Sequence, residues 1–540
     1  MRNECPTIIR KQGETMENLI NKRLSEMTLE EKLGHIVVCR PADLIPEEKE
    51  YIFDKLRRGC VGAMQCPVKP GTEHITKEVL DTATNDILIC ADMETGFPLS
   101  ARRLPSVMGI AATDDKTLAY EFGRITAIEA KAHGFNMVWG PVVDMIDGDA
   151  ECKVQRTMGT DAEKVTEFAT EIARGYLDEG MVFTAKHFPG GSDKTLDGHM
   201  FNVHSEKTEE ELIARDLVPY IEMNKKGILT GIMVGHTRFP KIDPVYPATL
   251  SEKLISIIRK LGFDGLLLTD SFAMMSIINE FGEEGCLGRA IQAGNDMIIP
   301  NYHITYKETL THLENAYNKG VITPERLDEA VRRVLRLQLM AKKEASQKTL
   351  SAENIASLDR LNSDSVCTIT DDGVDASLDK NKNYLFVVLT ENLYKNENGE
   401  YVEISVRNSW HPEDIKAQIK EEFPNSKIME MSEFPHFFNI HDVCYEAAHS
   451  DGVVFVTFCK GGSYVASDGL TNRVVHTMEA LADRIEAVMH IGNPYAMERI
   501  PHVPRLVIGF SGGECEKYAI EILAGKRRSK GKLHVKIKTN

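Results

Sequence analysis

The sequence predicts an α/β protein: a (β/α)8 TIM-type barrel followed by a smaller α/β sandwich domain with a mostly parallel sheet. Three observations predict it. Between about residues 34 and 300, short apolar runs alternate with longer segments of helical period, as repeated βα units do. There are eight such runs, the number that closes a barrel. After Met340 a polar stretch gives way to a second series of apolar runs separated by helical segments.

In chain order the eight runs are 35–40, 60–65, 87–92, 136–144, 182–187, 231–236, 265–270 and 296–300. The segments between them read as the outer helices. In DAEKVTEFATEIARGYLDEG, for example, Val165, Phe168, Ile172, Tyr176 and Leu177 mark one helical face and Gly180 a C-cap. Several runs finish on an ionisable side chain: Asp92, Asp144, Lys186 with His187, His236 and Asp270. The C-terminal ends of barrel strands build one common face, so these residues from distant sequence are expected to converge. The barrel is expected over 15–340 and a linker over 341–365. The sandwich is expected over 366–540, with strands near 384–389, 452–458, 487–492 and 505–510.

Composition bounds the function. A chain of 540 residues with 42% hydrophobic and 27% charged residues has side chains for a sizeable core. With 64 basic against 81 acidic residues the net charge is −17, which repels nucleic acid and acidic membrane surfaces; a small neutral substrate fits better. The basic end GKRRSKGKLHVKIKTN reads as a solvated or strand-forming terminus. The eleven cysteines show no C-x-x-C pair, which argues against a zinc site or disulfide framework. Several lie in apolar runs, as free cysteines do in a reducing compartment, so a cytoplasmic location is expected. Charges interrupt the N-terminal segment and no run of about 18 apolar residues occurs, so neither a signal peptide nor a membrane span is expected. No oligomeric state is indicated.

Two segments carry chemistry. In TAKHFPGGSDKTLDGHMFNVHS a strand ends in Lys186 and His187, and a Pro-Gly-Gly loop leads to Asp197, Gly198 and His199. An aspartate two residues before a histidine can orient its imidazole and stabilise its charge, which makes a general acid/base. In GFDGLLLTDSFAMMS a buried strand ends in Asp270, a carboxylate placed to act as nucleophile. An acid/base on a loop and a carboxylate on a rigid strand is the division of labour of a retaining glycosidase.

These segments resemble the signatures of glycoside hydrolase family 3, in order and at matching spacing. ILICADMETG is similar to the family's strand-end aspartate with its Glu and Gly; GFNMVWGPVVDM, QRTMGTDAEKV, KHFPGG, IMVGHTRFPKIDPVYPATLS, GLLLTDS and AIQAGNDMIIP follow. The resemblance implies a barrel hydrolase for saccharides with Asp270 as nucleophile. His199 with Asp197 matches the Asp-Ser-His acid/base dyad of the β-N-acetylglucosaminidase branch, with Gly198 in place of the serine. Asp92, Arg156, Lys186, His187 and His236 match sugar-binding positions, and no metal or cofactor is implied. The sequence departs from the pattern at PGGSD, where Gly191 and Ser192 stand in place of His-Gly, and at ADMETGFP, which lacks a basic residue. The same scaffold serves β-glucosidases, β-xylosidases and β-glycoside phosphorylases, and the PGGSD departure leaves a catalytically silent sugar-binding protein as a reading from another class.

Overall fold

The computed structural model describes residues 15–40, 46–146, 151–191, 197–342, 344–346, 349–390, 393–395, 401–403, 412–459, 469–510 and 513–538. The chain divides into two compact units, one of 1–100, 119–145 and 161–354, the other of 101–118, 146–160 and 355–540.

The first unit is the barrel. Its strands are β1 (Val38–Cys39), β2 (Ala63–Gln65), β3 (Leu88–Asp92), β4 (Met137–Val142), β5 (Val182–Phe188), β6 (Gly231–Val234), β7 (Leu266–Ser271) and β8 (Met297–Ile299). All are parallel to their neighbours and lie in the order β1 to β8; a Val37–Ile298 bridge joins the two ends. Each expected run overlaps one of these strands; β5 and β7 continue one residue past the expected ends, and β1, β2 and β8 are two or three residues long.

One buried cluster takes Val38, Ala63, Leu88, Cys90, Met137, Trp139, Val182, Met233, Leu266, Leu268, Met297 and Ile299 from all eight strands, which makes it the barrel interior. Side chains alternate along a strand, so the inward set can be counted forward in twos. From Cys90 the next inward residue is Asp92, from Val182 the count runs through Thr184 to Lys186, and from Leu268 it reaches Asp270. These three charged residues lie on β3, β5 and β7, alternate strands of the kind that supply one barrel layer.

The outer helices follow local rules. Asp161 caps Ala162–Asp178 by accepting the N–H groups of Glu163 and Lys164 at 2.9 and 3.0 Å, and Gly180, at φ +75°, turns the chain out of it. Val165, Phe168, Ile172 and Tyr176 are buried, while Leu177, at the edge of that face, is half-exposed. Asp296, fully buried before β8, pairs with Arg259 at 2.7 Å, Arg333 at 3.1 Å and Arg326. Its Oδ2 also accepts the Leu267 N–H of β7 at 2.9 Å, so the network holds the strand that ends in Asp270.

The second unit has a six-stranded sheet in the order β13-β10-β14-β15-β16-β9. Its strands are β9 (Cys367–Thr370), β10 (Tyr384–Thr390), β13 (Lys427–Ser432), β14 (Gly452–Phe458), β15 (Ile485–Ile491) and β16 (Arg505–Gly509); β11 (Leu393–Lys395) and β12 (Tyr401–Glu403) form a separate hairpin. The pairing is parallel except for β9 against β16. Sequence periodicity misses β9, which is short, and β13, an edge strand whose exposed and half-buried residues show no apolar run. The stretch expected as a linker, 341–365, contains the helix Ala352–Ser365. The core of this unit includes Met108, Ala112, Ile146 and Val154, which is why segments 101–118 and 146–160, inserted after β3 and β4, belong to it.

Candidate active site

Lys186 is the centre of the charged layer. Its side chain is 2% exposed, and its ammonium lies 2.6 Å from Asp92 and 2.7 Å from Glu94. A cation this deep is tolerable because two carboxylates take its hydrogen bonds. The sequence pattern contains Glu94 without giving it a role; the structure makes it a partner of Lys186. The inward count also places Arg40 at the end of β1, with its guanidinium 4.7 Å from the centre of the Tyr302 ring, a cation–π pair the sequence does not signal.

The ladder between β5 and β6 slips between Lys186 and Phe188, and both Lys186 and His187 join the site. The His187 Nδ1 lies 2.7 Å from Asp144 Oδ2 and its backbone N–H donates to Asp144 Oδ1 at 3.1 Å, so Asp144 holds the ring. On its other edge, Nε2 is 4.0 Å from Asp270 Oδ2.

His236, after β6, is buried between Thr249, 2.5 Å from Nδ1, and the Ser271 carbonyl, 3.0 Å from Nε2, and its ring stacks on Phe272. Burial lowers its pKa, against the pull of the Asp270 charge. Asp270 takes the Ser271 N–H at 2.7 Å. Burial alone would raise its pKa, but the imidazoles of His187 and His236, that N–H and Lys186 outweigh it and hold the carboxyl below the usual range. Asp270 is therefore a carboxylate at neutral pH, partly open to the mouth.

Asp197 is fully buried; its Oδ1 accepts the His199 N–H at 2.9 Å and lies 2.7 Å from Nδ1 of the partly exposed His199 ring. The turn is tied to the segment after Asp270: the Met275 N–H donates to the His199 carbonyl at 3.1 Å and Ser276 Oγ to the Gly198 carbonyl at 3.1 Å. It is also tied to the loop after β6, where the Ser205 N–H donates to the Arg238 carbonyl at 2.8 Å. Hydrogen bonds thus tie the Asp197–His199 turn to the segment that follows Asp270.

Arg156 ends the 3-10 helix Glu151–Arg156, in a segment that belongs to the second unit. Ser192 of the PGGSD departure and residues 460–468 of the Gly-rich CKGGSYVASDG loop lie outside the described residues. Gly191 is described. Its φ is +70°, its N–H donates to the buried Asp216 at 3.0 Å, and a Cβ there would meet Leu212 at 2.9 Å. Burial raises the Asp216 pKa even though Lys207 lies 2.9 Å away. Gly198 has open room: a Cβ there would lie 3.6 and 3.8 Å from carbons of Val203 and Met274, ordinary contact distances.

Comparison with known proteins agrees with this architecture. The description "Glycosyl hydrolase family 3 N terminal domain" matches residues 28–337. A protein of Cellulomonas fimi named beta-N-acetylglucosaminidase/beta-glucosidase is 30% identical over 336 residues, 59% of this chain and 59% of that protein. The chain thus spans less than two thirds of that relative's length. A beta-hexosaminidase of Nitrosospira multiformis is 30% identical over 238 residues, 42% of this chain and 68% of the relative. Among solved structures, a glycoside hydrolase family 3 beta-N-acetylglucosaminidase from Paenibacillus sp. aligns with TM-score 0.79 and 23% identity, covering 95% of this chain and 100% of that one. A beta-glucoside phosphorylase aligns with TM-score 0.82 and 22% identity, covering 99% and 98%. At those identities the structural likeness establishes the fold. With the family description spanning more than half of its length, the chain belongs to glycosyl hydrolase family 3.

Proposed function

We propose that the protein is a retaining exo-glycosidase that removes a terminal β-linked N-acetylhexosamine. The observation that carries this reading is the Asp197–His199 pair, bonded at 2.7 Å and tied by its backbone to the segment that follows Asp270. Asp270 attacks the anomeric carbon while His199 gives its proton to the departing oxygen. A bond between C1 and Asp270 forms as the glycosidic bond breaks. In the second step His199 takes a proton from water, whose oxygen attacks C1 and releases Asp270 as a carboxylate. The groups that keep Asp270 ionised, His187, His236 and Lys186, also stabilise it as the leaving group of that step. Buried Asp197 supports the imidazolium that exists before the first proton transfer and after the second. Asp92, Lys186 and His187 supply hydrogen-bonding groups for the hydroxyls of the terminal ring.

The names of the relatives from C. fimi and N. multiformis support the N-acetylhexosamine preference. The C. fimi name also includes a glucosidase, and a neutral histidine repels phosphate less than a carboxylate does, so glucoside hydrolysis and phosphorolysis form the second reading. The test is a panel of aryl β-glycosides (N-acetylglucosaminide, N-acetylgalactosaminide, glucoside and xyloside) with and without phosphate. Preference for N-acetylglucosaminide is expected. Turnover confined to glucoside or xyloside favours the second reading, phosphate dependence identifies a phosphorylase, and sugar binding without turnover identifies a silent binder. We also place the protein in a reducing compartment, a reading supported by the burial of eight of the nine described cysteines. Among the described residues no helix is long and apolar enough to cross a membrane.

A further inference from the structure

Two polar atoms inside the barrel have no hydrogen-bond partner among the described residues: the indole N–H of Trp139 and the hydroxyl of Thr184. Both residues are buried, Trp139 to 3% exposure and Thr184 to 0%. They are register partners on β4 and β5, and Trp139 is also the partner of Asp92 on β3. Trp139 belongs to the interior cluster, and Thr184 lies on the inward count that leads to Lys186. The two residues therefore lie on the inward side of the barrel, next to Asp92 in the ladder and one inward step before Lys186. Buried donors and hydroxyls are nearly always paired, and leaving one unpaired is destabilising, so an unpaired pair beside a polar mouth points to a bound group.

We propose that Trp139 and Thr184 form the floor of the sugar pocket and bind one hydroxylic oxygen there. A donor-only N–H beside a hydroxyl that can donate or accept is suited to one such oxygen. That oxygen is either the deepest hydroxyl of the bound ring or a water retained beneath it. The inference rests on the reading of Asp92 and Lys186 as sugar-binding groups. It adds a specificity element that the charged layer lacks, because a fixed N–H selects oxygen over hydrogen at one ring position.

The test uses the full chain with Trp139→Phe, which keeps an aromatic ring and removes the N–H, and Thr184→Val, which keeps the shape and removes the hydroxyl. Binding of free N-acetylglucosamine, glucose and their 3-, 4- and 6-deoxy derivatives is measured by calorimetric titration, and unfolding by thermal melts. Each variant is expected to weaken sugar binding by about 2- to 10-fold with Tm unchanged or raised, since an unpaired polar atom has been removed. If one deoxy sugar binds wild type and variant equally, the oxygen is that sugar hydroxyl. If the loss is the same for every sugar, the oxygen is the retained water. Wild-type binding that neither variant alters overturns the floor alone, as does a lowered Tm with unchanged affinity. Absence of binding by the wild type overturns the sugar-pocket reading as well.

Discussion

Among single residues, the proposed mechanism separates groups that react from groups that hold. Asp270→Ala removes the proposed nucleophile from a strand that pairs with β6 and β8 through main-chain groups, and takes away the acceptor of the Ser271 N–H. Turnover of any aryl glycoside is expected to fall by at least about 10³-fold with Tm nearly unchanged, and near-normal activity in that variant would sink the assignment. His199→Ala is expected to lose least with a leaving group that needs no proton. The deficit in kcat/KM across aryl glycosides should therefore grow with the pKa of the leaving phenol, and an equal loss for all of them would refute the acid role. Gly191→His, which introduces the residue of the resembled PGHGD pattern, places a side chain at φ +70° with its Cβ 2.9 Å from Leu212. It is expected to destabilise the fold by about 1–3 kcal/mol, read as a lowered Tm, because both the backbone conformation and the neighbouring packing oppose it.

At the scale of elements, the position of β7 depends on a buried carboxylate outside the mouth. Asp296 accepts the Leu267 N–H and faces Arg259, Arg326 and Arg333. Asp296→Ala would leave those guanidinium groups without their common anion and one strand N–H unpaired. The expected cost is about 3–5 kcal/mol, measured as a shift of the denaturant midpoint, with loss of activity because Asp270 stands at the far end of the same strand. Conservative Asp296→Asn keeps an acceptor for the N–H and should lose less.

For the whole molecule, each unit contains a histidine held neutral by its surroundings. His35 has Nδ1 2.8 Å from the Glu31 carbonyl and Nε2 facing the Asn85 amide at 3.4 Å. His490 has Nε2 2.9 Å from the Asn493 carbonyl and Nδ1 2.9 Å from the Thr457 hydroxyl. In each ring one nitrogen can donate to a carbonyl and the other accept, the pattern of a neutral imidazole. Burial lowers both pKa values to about 4 from an ordinary 6.5. Below 6.5 the unfolded chain takes up these protons and the folded one does not, so stability is full above 6.5 and is lost as pH falls towards 4. The loss reaches up to about 3 kcal/mol per histidine. Glu516 runs the other way: burial raises its pKa to about 7, so it destabilises the fold as pH rises from 4.5 to 7. Thermal melts between pH 4 and 7 are expected to show Tm rising with pH, with a smaller slope in His35→Gln and His490→Gln and a larger one in Glu516→Gln.

Local sequence pattern specified the barrel and most of its charged residues. Strand order in a parallel barrel follows chain order, and each apolar run announces a strand wherever it will pack. Asp92, Lys186, His187, His236 and Asp270 were legible because they end such runs, and the Asp197–His199 pair because its partners are two residues apart. The tertiary structure alone decided what those positions contact. Glu94 as partner of Lys186, Asp144 as the residue that holds His187, Asp216 behind Gly191 and the burial of the polar atoms of Trp139 and Thr184 depend on neighbours distant in the chain, which no local period encodes. The same holds for segments 101–118 and 146–160, whose apolar residues join a core built mostly of residues beyond 365. Local pattern specifies elements, while burial and hydrogen bonding between distant residues decide which of their side chains make a site.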